Sequence, residues 1–258
     1  MPELPEVETL CRQLRQKAAG AKILRTAVYD EKLAGLESIR GCVIQDVRRC
    51  GKTIYVILND GRSVLIHLRM TGRLFWRDHE TKEPHTRWRM TTDSGNIDLI
   101  DPRRFATVKI EKTRADGDNK DILLNFSMKA FLEKQARRKV SVKILLMDPQ
   151  AVSGIGNIYA CEILHRAGIS PFRQARTIND DEWKRIFRHA KRILKKGIEN
   201  RGTSISDWRD LYGCSGENQK LLQVYGQEGK TCRTCGSIVE RVRQSGRSTY
   251  YCPLCQAN

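Results

Sequence analysis

Two stretches of this chain hold residue types whose spacing is itself a chemical statement. Cys232-Arg-Thr-Cys235 and Cys252-Pro-Leu-Cys255 are separated by sixteen residues. Each C-x-x-C makes a tight knuckle that aims two thiolates at one ion, and two knuckles complete a tetrahedral four-sulfur site of the kind that holds zinc. Such a site leaves no open coordination position, so one Zn2+ is expected, in a structural role. Between the knuckles, IVERVRQ and RSTYY flank Ser245-Gly246 as a hairpin, which makes the unit a zinc ribbon. A redox dithiol pair is the competing chemistry, but no thioredoxin-like βαβ pattern surrounds either pair. A unit this small has too little core to fold without its metal. Arg247, at the hairpin tip, reads equally well as a solvated side chain or as a probe of phosphates.

The second stretch is the beginning, MPELPEVETL. Pro5 suits the first position of a helix, and Glu6 and Glu8 in its first turn favour the positive end of the dipole. Val7, Leu10, Cys11, Leu14 and Ala18 follow at helical spacing, and Gly20 is the stop. Pro2 and Glu3 precede the helix and have no role in that account. A third, weaker signal is Gly154-Ile155-Gly156-Asn157 ahead of a helical pattern. Asn157 there suits an N-cap, and the glycines would let exposed N–H groups hold a phosphate. A plain tight junction between helices explains it as well.

These residues must be positioned by a chain of 258 residues, long enough for more than one core. Lys and Arg number 47 against 30 Asp and Glu, a net charge of +17, which points to a polyanion and first of all to nucleic acid. No apolar run reaches membrane-spanning length and no signal-peptide pattern opens the chain, so the expectation is an intracellular protein without a membrane partner. In a reducing compartment the scattered Cys11, Cys42, Cys50, Cys161 and Cys214 read mostly as small core residues. Residues 22 to about 112 read as short strands, among them KILRTAVYD, CVIQDVRR, TIYVIL, SVLIHLRM and NIDLI, with turns at Asn59-Asp60-Gly61 and Ser94-Gly95-Asn96. The polar stretch 113–121 is the expected linker. From about 127 to 200 the pattern is helical, and in the last helix Trp183, Ile186, Phe187, Ala190 and Leu194 form one apolar face. Residues 201–229 read as an extended loop. The basic helix at 182–196 could meet DNA or be simply solvated.

Together these residues resemble the formamidopyrimidine-DNA glycosylase family. PELPEVE opens the chain, GIGNIY lies in its middle, and GR-(x)4-C-x-x-CQ closes it, with RRCGK (48–52), HLRMTG (67–72), DPRRF (101–105) and LQVYG (222–226) in order between them. The resemblance implies an α+β multidomain protein: an N-terminal helix and β-sandwich (1–125), a helix-two-turn-helix domain with a lesion-capping loop (126–229), and a zinc ribbon (230–258). It implies a bifunctional DNA glycosylase and abasic-site lyase of base-excision repair. Its partner would be double-stranded DNA carrying damaged bases or abasic sites, and the protein would be a monomer of the bacterial cytoplasm, associated with the nucleoid.

By the same resemblance, removal of Met1 exposes Pro2 as the nucleophile, Glu3 moves protons on the opening deoxyribose, and Lys52 sits on a phosphate beside the lesion. An α-amine with a pKa near 8 is far richer in its neutral form at pH 7 than a lysine near 10.4. Met70, Arg103 and Phe105 would fill the space left by the extruded nucleotide, although core packing is the plain reading of Met70 and Phe105. His67, Asn157 and Arg247 would grip phosphates, joined by Arg104. Glu6 would lie at the lesion pocket, a role its helix-dipole placement explains equally well. The capping loop corresponds to 213–222, and there Glu217 and Asn218 stand where family members carry an aromatic pair. Arg69 and Ala106 each replace a glycine beside the void-filling residues. Oxidised purines (8-oxoguanine, formamidopyrimidines) are the expected substrates. An endonuclease VIII-like preference for oxidised pyrimidines, or a non-catalytic zinc-ribbon protein that binds damaged DNA, are the alternatives.

Overall fold

The computed structural model describes residues 1–79, 81–112 and 120–257. Most of the linker expected at 113–121 lies outside the described residues. Two compact units divide the chain: Met1–Asp116 with Ile198–Glu217, and Gly117–Gly197 with Asn218–Asn258.

The first unit starts with α1 (Leu4–Ala18) and continues through β1 (Ile23–Val28), β2 (Ile44–Cys50), β3 (Thr53–Leu58), β4 (Arg62–His67), β5 (Arg73–Arg77), β6 (Thr86–Thr92), β7 (Gly95–Ile100) and β8 (Thr107–Lys112). The strands form two antiparallel four-stranded sheets, ordered β1-β6-β7-β5 and β2-β3-β4-β8. The strict alternation of TIYVIL buries Ile54, Val56 and Leu58 on one face of β3, as period 2 requires. These side chains join Val64 and Ile66 of β4, Trp88 and Met90 of β6, Ile97 and Leu99 of β7, and Val7, Leu10 and Leu14 of α1 in one core. A β-sandwich results, capped by the apolar stripe of α1. Trp208 and Leu211, from the returning segment 198–217, close the same core.

β6 is not evident from sequence alternation because it is buried on both faces. Trp88 and Met90 face the core, while Arg87 and Arg89 point the other way and are nonetheless only 3% and 2% exposed. Each is neutralised by acid. Arg89 Nε and Nη2 donate to Asp98, its direct cross-strand partner, at 2.5 and 2.6 Å. Arg87 Nε donates to Asp30.

The second unit holds α2 (Met128–Lys134), α3 (Val142–Met147), α4 (Asn157–Ala167), most of α5 (Asp180–Glu199), and the hairpin β9 (Glu240–Gln244) and β10 (Arg247–Tyr251). Phe126, Phe131, Trp183 and Phe187 pack ring on ring, with centroids 4.5–5.8 Å apart, and bury the apolar stripe of α5. Ser245 and Gly246 both take positive φ (47° and 78°), the conformation of a two-residue hairpin turn. Of the scattered cysteines, Cys11 and Cys161 are buried as expected, Cys42 and Cys50 are half-buried, and Cys214 is exposed. Among the described residues no helix is long and apolar enough to cross a membrane.

Removing one member of a buried ion pair leaves the other charge uncompensated, at about 3–5 kcal/mol. Asp98→Asn should therefore destabilise the sandwich by about that amount in urea unfolding. Arg89→Met with Asp98→Leu, which removes both charges, should lose much less.

Candidate active site and nucleic-acid interface

The N-terminal turn is built by two acids that a helix start can use. Glu3 is the N-cap of α1 and Glu6 the third helical residue, and each side chain accepts the other's backbone N–H in a capping box. Glu3 N donates to Glu6 Oε2 at 2.8 Å, and Thr203 N donates to Glu6 Oε1 at 2.7 Å. Both carboxylates are 2% exposed, and Pro2 is buried beside them, whereas Met1 is exposed. Gly202 must be glycine: at φ +82°, a Cβ there would fall 2.8 Å from Glu6 Cγ. Glu6 thus ties Glu3 to the segment that opens at Thr203. The far end of that segment, Glu217, returns its N–H to Asn200 O at 2.8 Å. Sequence reading had no reason to single out Thr203, because its partner lies 197 residues away.

Glu8 has a separate task. It pairs with Arg12 one turn along at 2.9 Å and with the buried Arg49 at 3.0 Å, while Arg49 Nη1 donates to Gly51 O at 3.0 Å. The β2–β3 turn that carries Lys52 is thereby fastened to α1. On the paired strand, Thr53 faces His67. His67 Nδ1 accepts the Arg69 N–H at 3.1 Å, which leaves Nε2 as the ring's donor. Burial, reinforced by the charges of Arg69 and Lys52, lowers its pKa to about 4. Beyond it stand Met70, 48% exposed, and Phe105, 44% exposed, with the Arg103 guanidinium 4.7 Å over the Phe105 ring. Neither apolar side chain packs in the core. Arg104 is folded back instead, its Nε and Nη2 donating to Asp30 at 2.9 and 2.6 Å.

In the second unit, Gly156 is the N-cap of α4 and Asn157 the first helical residue, in place of the cap expected of Asn157. The Asn157 amide is needed elsewhere: Nδ2 donates to Ser248 O at 2.9 Å, next to Arg247. Lys143, fully buried, donates to the same carbonyl at 3.1 Å and to Thr249 Oγ1 at 2.7 Å. The N-terminus of α4 and the exposed Arg247 are therefore held together by one strand end, an arrangement suited to a phosphate. Glu162, on the same helix, accepts the N–H groups of Gln223, Val224 and Tyr225 at 2.8–2.9 Å and so anchors the chain leaving Asn218–Leu221. Burial pushes its carboxyl up, against the pull of those three donors. Asn218 is buried, near Tyr159. Glu217 belongs to the first unit and Asn218 to the second.

The sulfurs of Cys232, Cys235, Cys252 and Cys255 all lie within 4.8 Å of one another. Cys232–Cys255 and Cys235–Cys252 are 3.9 and 3.4 Å apart, against about 3.8 Å for a tetrahedron with bonds of about 2.3 Å. Four thiolates at this spacing require a cation between them, so the donor set fits zinc. His165 Nε2, 3.5 Å from Cys232 Sγ, supplies an outer contact.

A depressed His67 makes a prediction. Its ring should titrate near pH 4 in an NMR titration, remaining neutral at pH 7; a midpoint near 6.5 would contradict the geometry. The unfolded ring binds its proton first as pH falls, so His67 should cost stability between about pH 6.5 and 4, and His67→Gln should flatten that part of the profile.

Comparison with known proteins adds to this geometry. Three family models match in succession: the formamidopyrimidine-DNA glycosylase N-terminal domain over residues 1–108, the corresponding H2TH domain over 120–208, and a zinc finger found in FPG and IleRS over 229–258. A formamidopyrimidine-DNA glycosylase of Pelotomaculum thermopropionicum is 38% identical, covering 99% of each chain. Among solved structures, a Lactococcus lactis FPG mutant in complex with a Fapy-dG containing DNA superposes with a TM-score of 0.90 at 29% identity. MutM in complex with carbocyclic 8-oxo-G containing DNA gives 0.88 at 29% identity; both cover 100% of each chain.

Proposed function

The chain belongs to the formamidopyrimidine-DNA glycosylase family of DNA-repair enzymes, and we propose that it excises oxidised purines from duplex DNA through the Pro2 nitrogen and then cuts the strand. The observation that carries this reading is the buried N-terminal turn, in which Glu6 fixes Glu3 beside Pro2. Removal of Met1 converts the Pro2 nitrogen from an amide to a secondary amine. That amine attacks C1′ of the damaged nucleotide as the base departs with the glycosidic electron pair, and Glu3 delivers a proton to the ring oxygen as the sugar opens to an iminium. The iminium acidifies the C2′ proton, so loss of the 3′ phosphate and then of the 5′ phosphate follows by β- and δ-elimination. Lys52, on the turn fastened through Arg49 and Glu8, is placed to neutralise a phosphate nearby.

Extraction of the nucleotide needs grips and a substitute for the lost stack. Neutral His67 donates from Nε2, and the α4 N-terminus with Asn157 and Arg247 offers N–H groups and charge. Met70, Arg103 and Phe105 present an exposed apolar wedge with a guanidinium over it. Arg104, engaged by Asp30, serves the loop more than a phosphate. Glu6 acts at the lesion pocket by holding Thr203 and hence the segment ending at Glu217, while the Glu162-anchored stretch carries Asn218. The zinc, held by the four cysteines, supplies folding energy to the ribbon that presents Arg247. The functional parts correspond to 1–125, 126–229 and 230–258.

Intact mass should show Met1 absent, and borohydride should trap a covalent adduct on 8-oxoguanine and abasic oligonucleotides, with less on an oxidised pyrimidine. Equal or greater yield on the pyrimidine would reassign the substrate, and no adduct on any of them would refute catalysis through Pro2. Glu3→Gln should lower base excision by about 10²–10⁴-fold. Elemental analysis should find one zinc per chain. Cys252→Ser should lose it together with most DNA affinity, while the thermal transition of the sandwich persists.

A further inference from the structure

The three residues read as the wedge come from two separate loops. Leu68–Gly72 leads from β4 to β5, and Asp101–Ala106 leads from β7 to β8. Both cross from one sheet to the other at the same edge, since His67 pairs with Thr107 and Arg73 with Ile100. The loops touch closely: a Cβ on Gly72 would lie 2.5 Å from Leu68 O and 2.9 Å from Ala106 Cβ. Two loops meeting at a sandwich edge would ordinarily move independently, because loop backbone has few partners.

Here one carboxylate collects both. Asp101 is 1% exposed. Its Oδ2 accepts Phe105 N and Ala106 N, each at 2.7 Å, and its Oδ1 accepts Arg103 N at 3.2 Å. The remaining acceptor position of Oδ1 takes the Thr71 hydroxyl, from the loop that carries Met70. These four donors each belong to a wedge residue or to its immediate neighbour. Behind Asp101, Arg87 Nη1 donates to Ala106 O at 2.9 Å and lies 3.5 Å from Asp101 Oδ2, and its Nε bonds Asp30. Asp30 in turn accepts from Nε and Nη2 on one edge of the Arg104 guanidinium. Arg104 stands between Arg103 and Phe105 at φ +57°, a conformation a non-glycine residue keeps only when its surroundings enforce it. This anchor holds the Arg104 guanidinium against Asp30, away from the exposed Arg103 and Phe105 side chains, although Arg104 itself stays at the surface.

We propose that Asp101, reaching through the Thr71 hydroxyl, is a positioning residue that locks the two loops into one preformed wedge, so that Met70, Arg103 and Phe105 enter the duplex together. This inference rests on reading those three residues as void fillers. Preorganisation matters because insertion into a stack must otherwise order two loops at the moment of extrusion. The Asp101–Thr71 bond links Met70 to Phe105 without touching DNA or the reacting sugar, so its loss should be felt only where a paired nucleotide must be expelled.

The test compares single-turnover excision of 8-oxoguanine from a base pair with excision of the same lesion as an unpaired, bulged nucleotide. Thr71→Val deletes the hydroxyl at nearly constant volume. Thr71→Ala serves where the valine disturbs packing, and Thr71→Ser keeps the bond. Thermal melting of each variant reports folding. Valine or alanine should slow the paired reaction by about tenfold, the loss expected of one charge-assisted hydrogen bond, and leave the bulged reaction within about twofold, with serine restoring the rate. Equal slowing of both reactions, or failure of serine to rescue, would assign Thr71 a general structural role and overturn the proposal. Met70→Ala and Phe105→Ala control for the underlying reading. If they impair the paired reaction selectively while Thr71→Val does not, the wedge stands and the lock falls. If they too lack selectivity, the void-filling reading fails and the lock with it.

Discussion

Glu6 is the side chain on which the N-terminal turn depends. One oxygen holds the N–H of Glu3 and the other the N–H of Thr203, so a single buried carboxylate fixes a helix start and a distant loop at once. Leaving either donor unmet in a buried site costs about 1–3 kcal/mol, and the α1 N-terminus adds its dipole to the attraction. A glycine at 202 is forced by the closeness of this contact. The geometry next to Pro2 is thus set by residues that need never meet the substrate.

The same device recurs. Asp101 gathers Arg103, Phe105 and Ala106, Glu162 gathers Gln223, Val224 and Tyr225, and buried Asp210 gathers the N–H groups of Tyr212 and Cys214. Each acid organises a loop whose neighbours the proposed function requires. A protein of net charge +17 that presents cations to a polyanion meets a problem in those loops, since surface arginines and lysines repel one another and are poor organisers. Buried acids supply the order from behind while leaving the outer surface basic. Lys143 does the converse, a buried cation that ties the arginine-bearing hairpin to its helix through neutral oxygens.

What could be read from the sequence was whatever is local. The zinc ligands are fixed by a two-residue spacing repeated once, and α1 by apolar residues at helical intervals; the structure bears out both patterns, although the helix starts at Leu4, one residue before Pro5. The α+β architecture also follows from strand-like and helix-like texture. β6 escaped because TRWRMTT looks half polar; its arginines are inside only because Asp30 and Asp98 meet them, and Asp30 is 57 residues away from its arginine. Thr203, Lys143 and Glu162 escaped for the same reason, although an acid or a lysine within an apolar helical run is a signal in itself. Asn157 was read as an N-cap from its type, yet Gly156 takes that place and releases the asparagine amide for Ser248.

Arg69 and Arg104 show how charge and conformation trade against one another at this surface. Both occupy positive φ, at 55° and 57°, where glycine would be unstrained. For Arg104 the compensation is visible in the two hydrogen bonds to Asp30. For Arg69 the local hydrogen bond runs the other way, from its backbone to His67, and its charge helps keep that ring neutral. A glycine at 69 would relax the backbone but remove a charge that acts on His67. Burial remains the main cause of the ring's neutrality, and the arginine adds to it a charge that glycine cannot supply, at the cost of a strained φ.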